Sequence, residues 1–372
     1  MPLLLVLDIG YSSRTKACAR LKMKQNVIAL IFGGKSAEHA VSLMSARSLY
    51  EALTSSGYRV HCVGIDTAGV WHYQGQPREF PDEVDAAAPV LTLQPGRPVL
   101  IYSDAGSALK EIAIDLMFPA LHGRYGEDGA IQGLGAMCGI PCVGSGILGS
   151  AVAIDKDMTK RLVSAAGIKV APWVAGHEMW PWRYLVELLG GEVLYVKPAT
   201  CGSSIGVARV TCEAEYREAY AAAQRLDPKV IVEKEIKGRE IECGILESDG
   251  RTVASPPGEI LPASGYDFYN YDAKYSTHQP STLLVPSPVS STLSARIQSL
   301  SLEVFRCLGL QGLARIDFFL LDDEVILNEV NTLPGFTGAS MYPKMFEAAG
   351  FSLAFIADEL VKTVVLGTSP QP

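Results

Sequence analysis

Apolar residues along the chain switch between strand-like runs and helical spacing. Val27 to Phe32 is an unbroken apolar run, as a strand buried on both faces requires, and residues 41 to 53 carry apolar side chains at helical spacing. Between them lies Gly33-Gly-Lys-Ser-Ala-Glu-His39, a glycine-opened loop. Together they predict a strand–loop–helix unit of the open α/β kind, whose ligand sites lie at the carboxyl ends of strands. The Gly-x4-Gly-Lys-Ser spacing of a Walker loop is absent. Further strands are predicted over 59–66 and 114–120. The second runs into Leu121-His-Gly-Arg-Tyr-Gly-Glu-Asp-Gly129, which opens a helix ending near Cys138. Residues 68–110 show only a weak hairpin. A short strand and turn over 140–146 closes a first domain.

Residues 150–166 predict one helix, with Asp155-Lys-Asp157 near its start. Strands are predicted over 170–174 and 193–196. Lys197-Pro198 then leads into Ala199-Thr-Cys-Gly-Ser-Ser-Ile-Gly206 and another strand. A small-residue loop between strands can fold over a polyphosphate, because its backbone N–H groups donate and its glycines allow close approach. A helix over 213–225 and strands over 229–233 and 238–246 follow. Residues 264–286 form a long aromatic stretch without a period, the pattern of a lid. A helix over 293–308 precedes the stretch on which the chain is organised, residues 313–331. Helices over 342–349 and 352–366 end the pattern.

Residues 313–331 read as two strands joined by the acidic turn Leu321-Asp-Asp-Glu324. Arg315 and Asp317 are two apart and share a face, as do Glu329 and Asn331. A hairpin would bring three oxygen-bearing side chains together beside one guanidinium. That set suits a hard cation such as Mg²⁺. A surface hairpin with solvated charges has the same pattern.

The composition narrows the classes. The chain has 372 residues, 48% hydrophobic and 19% charged, enough for two or three globular domains. A net charge of −8 argues against a general nucleic-acid surface. The eight cysteines form no CxxC pair, which points to a reducing cytoplasm rather than a disulfide or zinc framework. No apolar run reaches the roughly 18 residues of a membrane span. Leu3-Leu-Leu-Val-Leu7 is short and followed, not preceded, by basic residues, unlike a secretory signal. Residues 1–24 are expected to be a non-essential extension, with Met23 a candidate start.

Taken together, several blocks resemble the D-alanine–D-alanine ligase family of the ATP-grasp superfamily. They are Phe32-Gly-Gly-Lys-Ser-Ala-Glu-His39, His122-Gly-x-x-Gly-Glu-Asp-Gly129, Asp155-Lys156 with Thr159-Lys-Arg161, and Lys197-Pro198 with Gly202-Ser-Ser-x-Gly206. Glu233, Gly238-Arg-Glu240, Tyr271-x-Ala-Lys-Tyr275, Arg315-Ile-Asp317 and Asn328-Glu-Val-Asn-Thr-Leu-Pro-Gly335 to Ser340-Met-Tyr-Pro343 continue the series. The resemblance implies an α/β protein with an N-terminal open α/β (preATP-grasp) domain, then a two-subdomain ATP-grasp fold with mixed and antiparallel sheets. Expected bounds are 25–147 for the D-alanine-binding domain, 148–233 for the central subdomain, 234–366 for the C-terminal subdomain and 367–372 for a tail.

The implied chemistry is ATP-dependent phosphorylation of one D-alanine and attack by the amine of a second. ATP would meet Lys156, Lys197, Ser203, Ser204, Glu233, Lys234, Ile236, Glu240 and Lys274. Two Mg²⁺ ions, or Mn²⁺, would be held by Asp317, Glu329 and Asn331. Glu38, Ser203 and Tyr275 match a hydrogen-bonded triad, and Lys274 would reach the transferring phosphate. Arg315 and the Gly335 N–H match oxyanion stabilisers. Glu38 and His122 would lie at the first substrate, and Ser340 and the Met341 N–H at the carboxylate of the second. The family further implies a cytoplasmic homodimer serving peptidoglycan synthesis. A ligase for D-alanine with D-lactate or D-serine is the alternative, and a non-catalytic ATP-grasp nucleotide binder a remoter one. The sequence departs from the family at Ala40, where a second Glu is common, and at Cys201 in the phosphate loop.

Overall fold

The computed structural model describes residues 5–7, 26–104, 107–261 and 282–367. The strand–loop–helix unit forms as its pattern requires. β2 (Val27–Gly33) leads through the glycine loop into α1 (His39–Ser55), and β3 (Arg59–Ile65) returns parallel beside β2. β8 (Leu116–Pro119) lies parallel on the other side of β2, while β4 (Trp71–Gly75) adds antiparallel to β3. Strand β2 is therefore central, and the loops after β2 and β8 meet at the carboxyl edge of the sheet, where such folds place ligands. The weak hairpin of 68–110 is more than that. β5 (Leu91–Gln94), β6 (Arg97–Tyr102) and β7 (Lys110–Ala113) form a separate three-stranded antiparallel sheet. These strands are short and half-solvated, so their apolar pattern is diluted. α2 (Ala130–Cys138) follows the β8 loop.

Next come α3 (Ile147–Ile154), α4 (Lys156–Ala165), β9 (Trp173–Gly176), α5 (Trp182–Leu189), β10 (Leu194–Pro198), β11 (Ala208–Val210), α6 (Glu213–Leu226) and β12 (Val230–Lys234). Their strands form an antiparallel sheet in the order β11-β10-β12-β9. The single helix expected over 150–166 is two. Asp155 is extended (φ −82°, ψ 100°) and caps α4, its carboxylate accepting the N–H groups of Asp157 and Met158 at 3.1 Å. A capping carboxylate satisfies the orphan donors of a new helix better than it serves inside an old one. The strand expected over 170–174 begins only at Trp173, because Pro172 has no N–H to give the ladder.

The last sheet contains β13 (Arg239–Ser248), β14 (Arg251–Ala254), β15 (Gly258–Leu261), β16 (Thr282–Leu284), β17 (Leu313–Leu321) and β18 (Glu324–Asn331). α7 (Ser291–Cys307) packs on it, and α8 (Met341–Ala348) and α9 (Leu353–Gly367) close the chain. β1 (Leu5–Leu7), in the expected extension, pairs antiparallel with β14 at the sheet edge. The first sheet and the final helices share one core. Leu30, Phe32, Leu49 and Leu53 belong to the same apolar cluster as Tyr342, Phe346 and Leu360. Tyr58 O–H also donates to Asp358 at 2.6 Å across this junction.

Candidate active site

The hairpin forms with the register its spacing implies. Arg315 faces Asn331 and Asp317 faces Glu329 across β17 and β18. A shift beyond Asp317 pairs Phe318 with Leu327, so Asn328 is the extra residue of a bulge. Arg315 donates from Nε to Asp317 Oδ1 at 2.8 Å and from Nη2 to Oδ2 at 2.7 Å. Asn331 Nδ2 donates to Asp317 Oδ2 at 2.9 Å, which leaves the amide oxygen of Asn331 for another partner. Among the described residues no three His, Cys, Asp or Glu side chains converge as a metal cluster. The expected set of Asp317, Glu329 and Asn331 has two carboxylates and takes its third oxygen from an amide. Two carboxylates and an amide, all oxygen, fit a hard cation such as Mg²⁺.

Two cavities open on this hairpin. The larger, of about 520 Å³, is lined by Lys156, Lys197, Ser204, Glu233, Lys234, Ile236 and Glu240, with Asp317 and Glu329 at one wall. The smaller, of about 100 Å³, is lined by Glu38, His122, Ser203, Arg315, Asn331, Gly335, Ser340 and Met341, again with Glu329. Of the described residues expected to meet ATP, all but Ser203 line the larger cavity; Ser203 lines the smaller one with the residues expected to meet the amino acids. Glu329 and Glu242 line both cavities. Lys274 and Tyr275 lie outside the described residues.

The larger cavity brings lysines and carboxylates together, with Lys156, Lys197 and Lys234 facing Glu233, Glu240 and Glu329. Lys156 opens α4 behind the Asp155 cap, and its Nζ donates to Cys201 C=O at 2.7 Å and lies 3.7 Å from Glu329. Asp155 itself receives Lys229 Nζ at 3.0 Å. Asp227 accepts both the N–H and hydroxyl of Thr200, at 2.8 and 2.6 Å, and so pins the root of the loop over 199–206. Glu233 lies between two ammonium groups, with Lys160 at 2.8 Å and Lys197 at 2.5 Å. Burial alone would raise its pKa, but the two lysines outweigh burial and bring it to about 2. Burial pushes the Cys201 thiol up instead, so it is a poor nucleophile near neutral pH.

In the smaller cavity Glu38 stands at the N-terminus of α1 and accepts the Ser203 hydroxyl, a bond between the first domain and the phosphate loop. Ser203 and Ser204 both take left-handed backbone angles, φ 50° and 57°. Such strain in non-glycine residues is kept where a loop must bend sharply over a site. His122 is buried, and burial lowers its pKa, so it is neutral. Its Nδ1 lies 3.1 Å from Leu333 C=O, which can only accept, so Nδ1 carries the proton. Its Nε2 then accepts from Ser45 Oγ at 3.1 Å, and Ser45 in turn accepts the Phe336 N–H at 3.1 Å. Glu127 accepts the N–H of Gly123 at 2.7 Å and of Leu333 at 3.2 Å. The Leu333–Phe336 stretch is therefore held by Ser45, His122 and Glu127. At Gly335 a Cβ would lie 2.7 Å from Ser340 Oγ and displace that hydroxyl.

Sequence reasoning did not single out Ser45, Glu127, Lys160 or Glu242. Glu127 lay inside a quoted block, and Glu242 follows Glu240 by two along β13, the spacing of a shared face. Lys160 lay in the quoted block Thr159-Lys-Arg161 without a role of its own, and Ser45 had no local signal.

Comparison with known proteins matches both halves of the chain. The family model described as D-ala D-ala ligase N-terminus matches residues 27–145, and that described as D-ala D-ala ligase C-terminus matches residues 162–362. A D-alanine–D-alanine ligase A of Pseudomonas putida is 57% identical over 341 residues, covering 91% of this chain and 97% of that protein. A D-alanine–D-alanine ligase of Streptomyces avermitilis is 39% identical, covering 91% and 94%. The solved D-alanine–D-alanine ligase of Coxiella burnetii superposes with TM-score 0.80 at 32% identity, covering 92% and 94%. VanG D-Ala:D-Ser ligase of Enterococcus faecalis does so with TM-score 0.77 at 32% identity, covering 92% and 100%. With both halves matched and one relative identical at more than half its positions, this chain belongs to the D-alanine–D-alanine ligase family, enzymes with an N-terminal α/β domain and an ATP-grasp fold.

Proposed function

We propose that this chain joins two D-alanine molecules to D-alanyl-D-alanine with ATP, releasing ADP and phosphate, in the synthesis of peptidoglycan. The observation that carries the reading is the shared wall, since Glu329 and Glu242 line both cavities. A phosphoryl donor in the larger cavity and a carboxylate acceptor in the smaller one would meet across it. The carboxylate oxygen of the first D-alanine attacks the γ-phosphorus, forming D-alanyl phosphate and ADP. The amine of the second attacks the acyl carbon, and phosphate leaves with the oxygen that joined it to the acyl group.

The residues divide the work. Lys156 and Lys197 receive phosphate charge, and Ser203 and Ser204 close the loop over it. Glu233, Lys234, Ile236 and Glu240 hold the base and ribose. Asp317, Glu329 and Asn331 would hold two Mg²⁺ ions, or Mn²⁺, which when bound supply charge neutralisation for phosphoryl transfer. Glu38 pairs with the first ammonium, which brings the cation this enclosed anion needs. Arg315 and the Gly335 N–H face the developing oxyanion. Ser340 and the Met341 N–H take the second carboxylate. Lys274 and Tyr275 keep the roles their sequence positions suggest. The reading carries with it a cytoplasmic homodimer and working parts at 25–147, 148–233 and 234–366.

Of the rival second substrates, D-serine draws support from the likeness to the Enterococcus D-Ala:D-Ser ligase, whereas D-lactate rests on the sequence alternative alone. The 57% identity to a D-alanine–D-alanine ligase favours the dipeptide. Phosphate release from ATP with D-alanine alone, compared with D-alanine plus D-serine or D-lactate, decides between them. Release with D-alanine alone is expected. Release that requires a second compound would replace the reading.

A further inference from the structure

Lys160 is a buried charge that the reading above leaves without a role. It projects from α4, is 1% exposed, and lies 2.8 Å from Glu233 Oε1. The ring of Trp173 also lies beside it, 6.0 Å to the centroid, and Lys197 and Lys156 are nearby like charges. Burial drives its pKa down, and Glu233 opposes that. A buried ammonium is tolerated only with such a partner. The second oxygen of Glu233 faces Lys197. The two lysines differ in access. Lys197 lines the larger cavity, whereas Lys160 is sealed behind Glu233. A polyphosphate entering the cavity can draw on Lys197 but not on Lys160.

We propose that Lys160 is a positioning residue for base recognition, the fixed counter-charge that keeps Glu233 ionised and aimed when Lys197 turns to the phosphates, so that the site selects a 6-amino purine over a 6-oxo purine. This rests on the reading in which Glu233 meets the base. An ionised carboxylate only accepts hydrogen bonds. The exocyclic amino group of adenine donates, while the 6-carbonyl of hypoxanthine or guanine would set acceptor against acceptor. Without Lys160, Glu233 either keeps Lys197 from the phosphates or takes up a proton. A protonated carboxyl gains a donor that a 6-oxo purine can use.

The test compares kcat/KM for ATP and inosine triphosphate in the wild type, Lys160→Met, Glu233→Gln and the double variant, with folding checked by circular dichroism. Lys160→Met should raise the KM for ATP about tenfold and narrow the preference for ATP by about tenfold, on the scale of a lost buried charge contact, with the KM for D-alanine unchanged. The double variant should be no less selective than Glu233→Gln alone, because Lys160 acts through Glu233. If Glu233→Gln narrows the preference but Lys160→Met leaves it within about twofold, the proposal is overturned and the Glu233 reading stands. If Glu233→Gln leaves the preference unchanged, the assignment of Glu233 to the base fails, and the proposal with it. Should Lys160→Met not fold, Lys160→Gln takes its place; a preference narrowed about tenfold supports the proposal, and one within about twofold of the wild type overturns it.

Discussion

Arg315 forks onto Asp317, with Nε and Nη2 reaching the two carboxylate oxygens at 2.8 and 2.7 Å. The same guanidinium lies 3.0 Å from Glu242. Burial works against its charge, but Asp317 and Glu242 outweigh burial and raise its pKa, so Arg315 stays cationic at any working pH. A fixed cation at the junction of the cavities suits an oxyanion better than a ground-state carboxylate. Arg315→Ala should therefore lower kcat by about 10²- to 10³-fold, the usual cost of losing one oxyanion donor. Steady-state kinetics check this, and an unchanged kcat would remove Arg315 from that role.

Glu38 and Ser203 join two parts of the chain 165 residues apart. Losing a hydrogen bond to a charged group costs about 1.5–3 kcal/mol, or roughly 10- to 100-fold in an equilibrium. Glu38→Gln should weaken the first D-alanine by that factor. Ser203→Ala should instead lower kcat with less effect on the D-alanine KM, because the serine closes the loop and does not pair with the ammonium. Initial-rate measurements over both substrates separate the two. Equal effects on both parameters in both variants would contradict the division.

The two strands of the hairpin, their facing pairs and the acidic turn were legible because a strand has a period of two and a tight turn leaves one register. The glycine loop after β2 and the small-residue loop after Lys197 were legible for similar local reasons. The cage of Lys160 and Lys197 around Glu233 was not, since it joins three segments that no period connects. The break at Asp155 was hidden because apolar spacing runs through it, and only the capping bonds reveal two helices. Ser45 reads as any helix serine until Phe336 and His122 arrive from distant segments.

Glu127 offers a test by pH. Its enclosure and the nearby Glu38 charge push its pKa up to about 8, while Arg315 and the N–H groups of Gly123 and Leu333 oppose them. An unfolded glutamate titrates near about 4.3. Between those values the folded state holds the extra proton, so stability from this group is full below the unfolded pKa and is lost as pH rises through about 8. Melting temperature should fall between pH 5 and 8 more steeply in the wild type than in Glu127→Gln, which cannot ionise. Parallel melting curves would show that Glu127 is already ionised in the folded protein.

Removal of residues 1–24 should leave turnover intact. The only described part of that segment, Leu5–Leu7, pairs at the edge of β14 and is separated from the hairpin by two strands, β14 and β13. Its loss exposes one short strand edge, so the expected changes are a small drop in melting temperature and more association at high concentration. Kinetics and light scattering on the shortened chain check both. Loss of activity would give the segment a function that its place in the sheet does not suggest.

The central claim is that the first D-alanine becomes an acyl phosphate where the two cavities meet. It is tested most directly with D-alanine carrying ¹⁸O in its carboxylate. Attack by that carboxylate on ATP and departure of phosphate from the acyl carbon transfer one labelled oxygen per dipeptide into the released phosphate. Mass spectrometry of the phosphate should find that label in step with dipeptide formation. Dipeptide formed with unlabelled phosphate would mean that the carboxylate never attacked phosphorus, and would contradict the account.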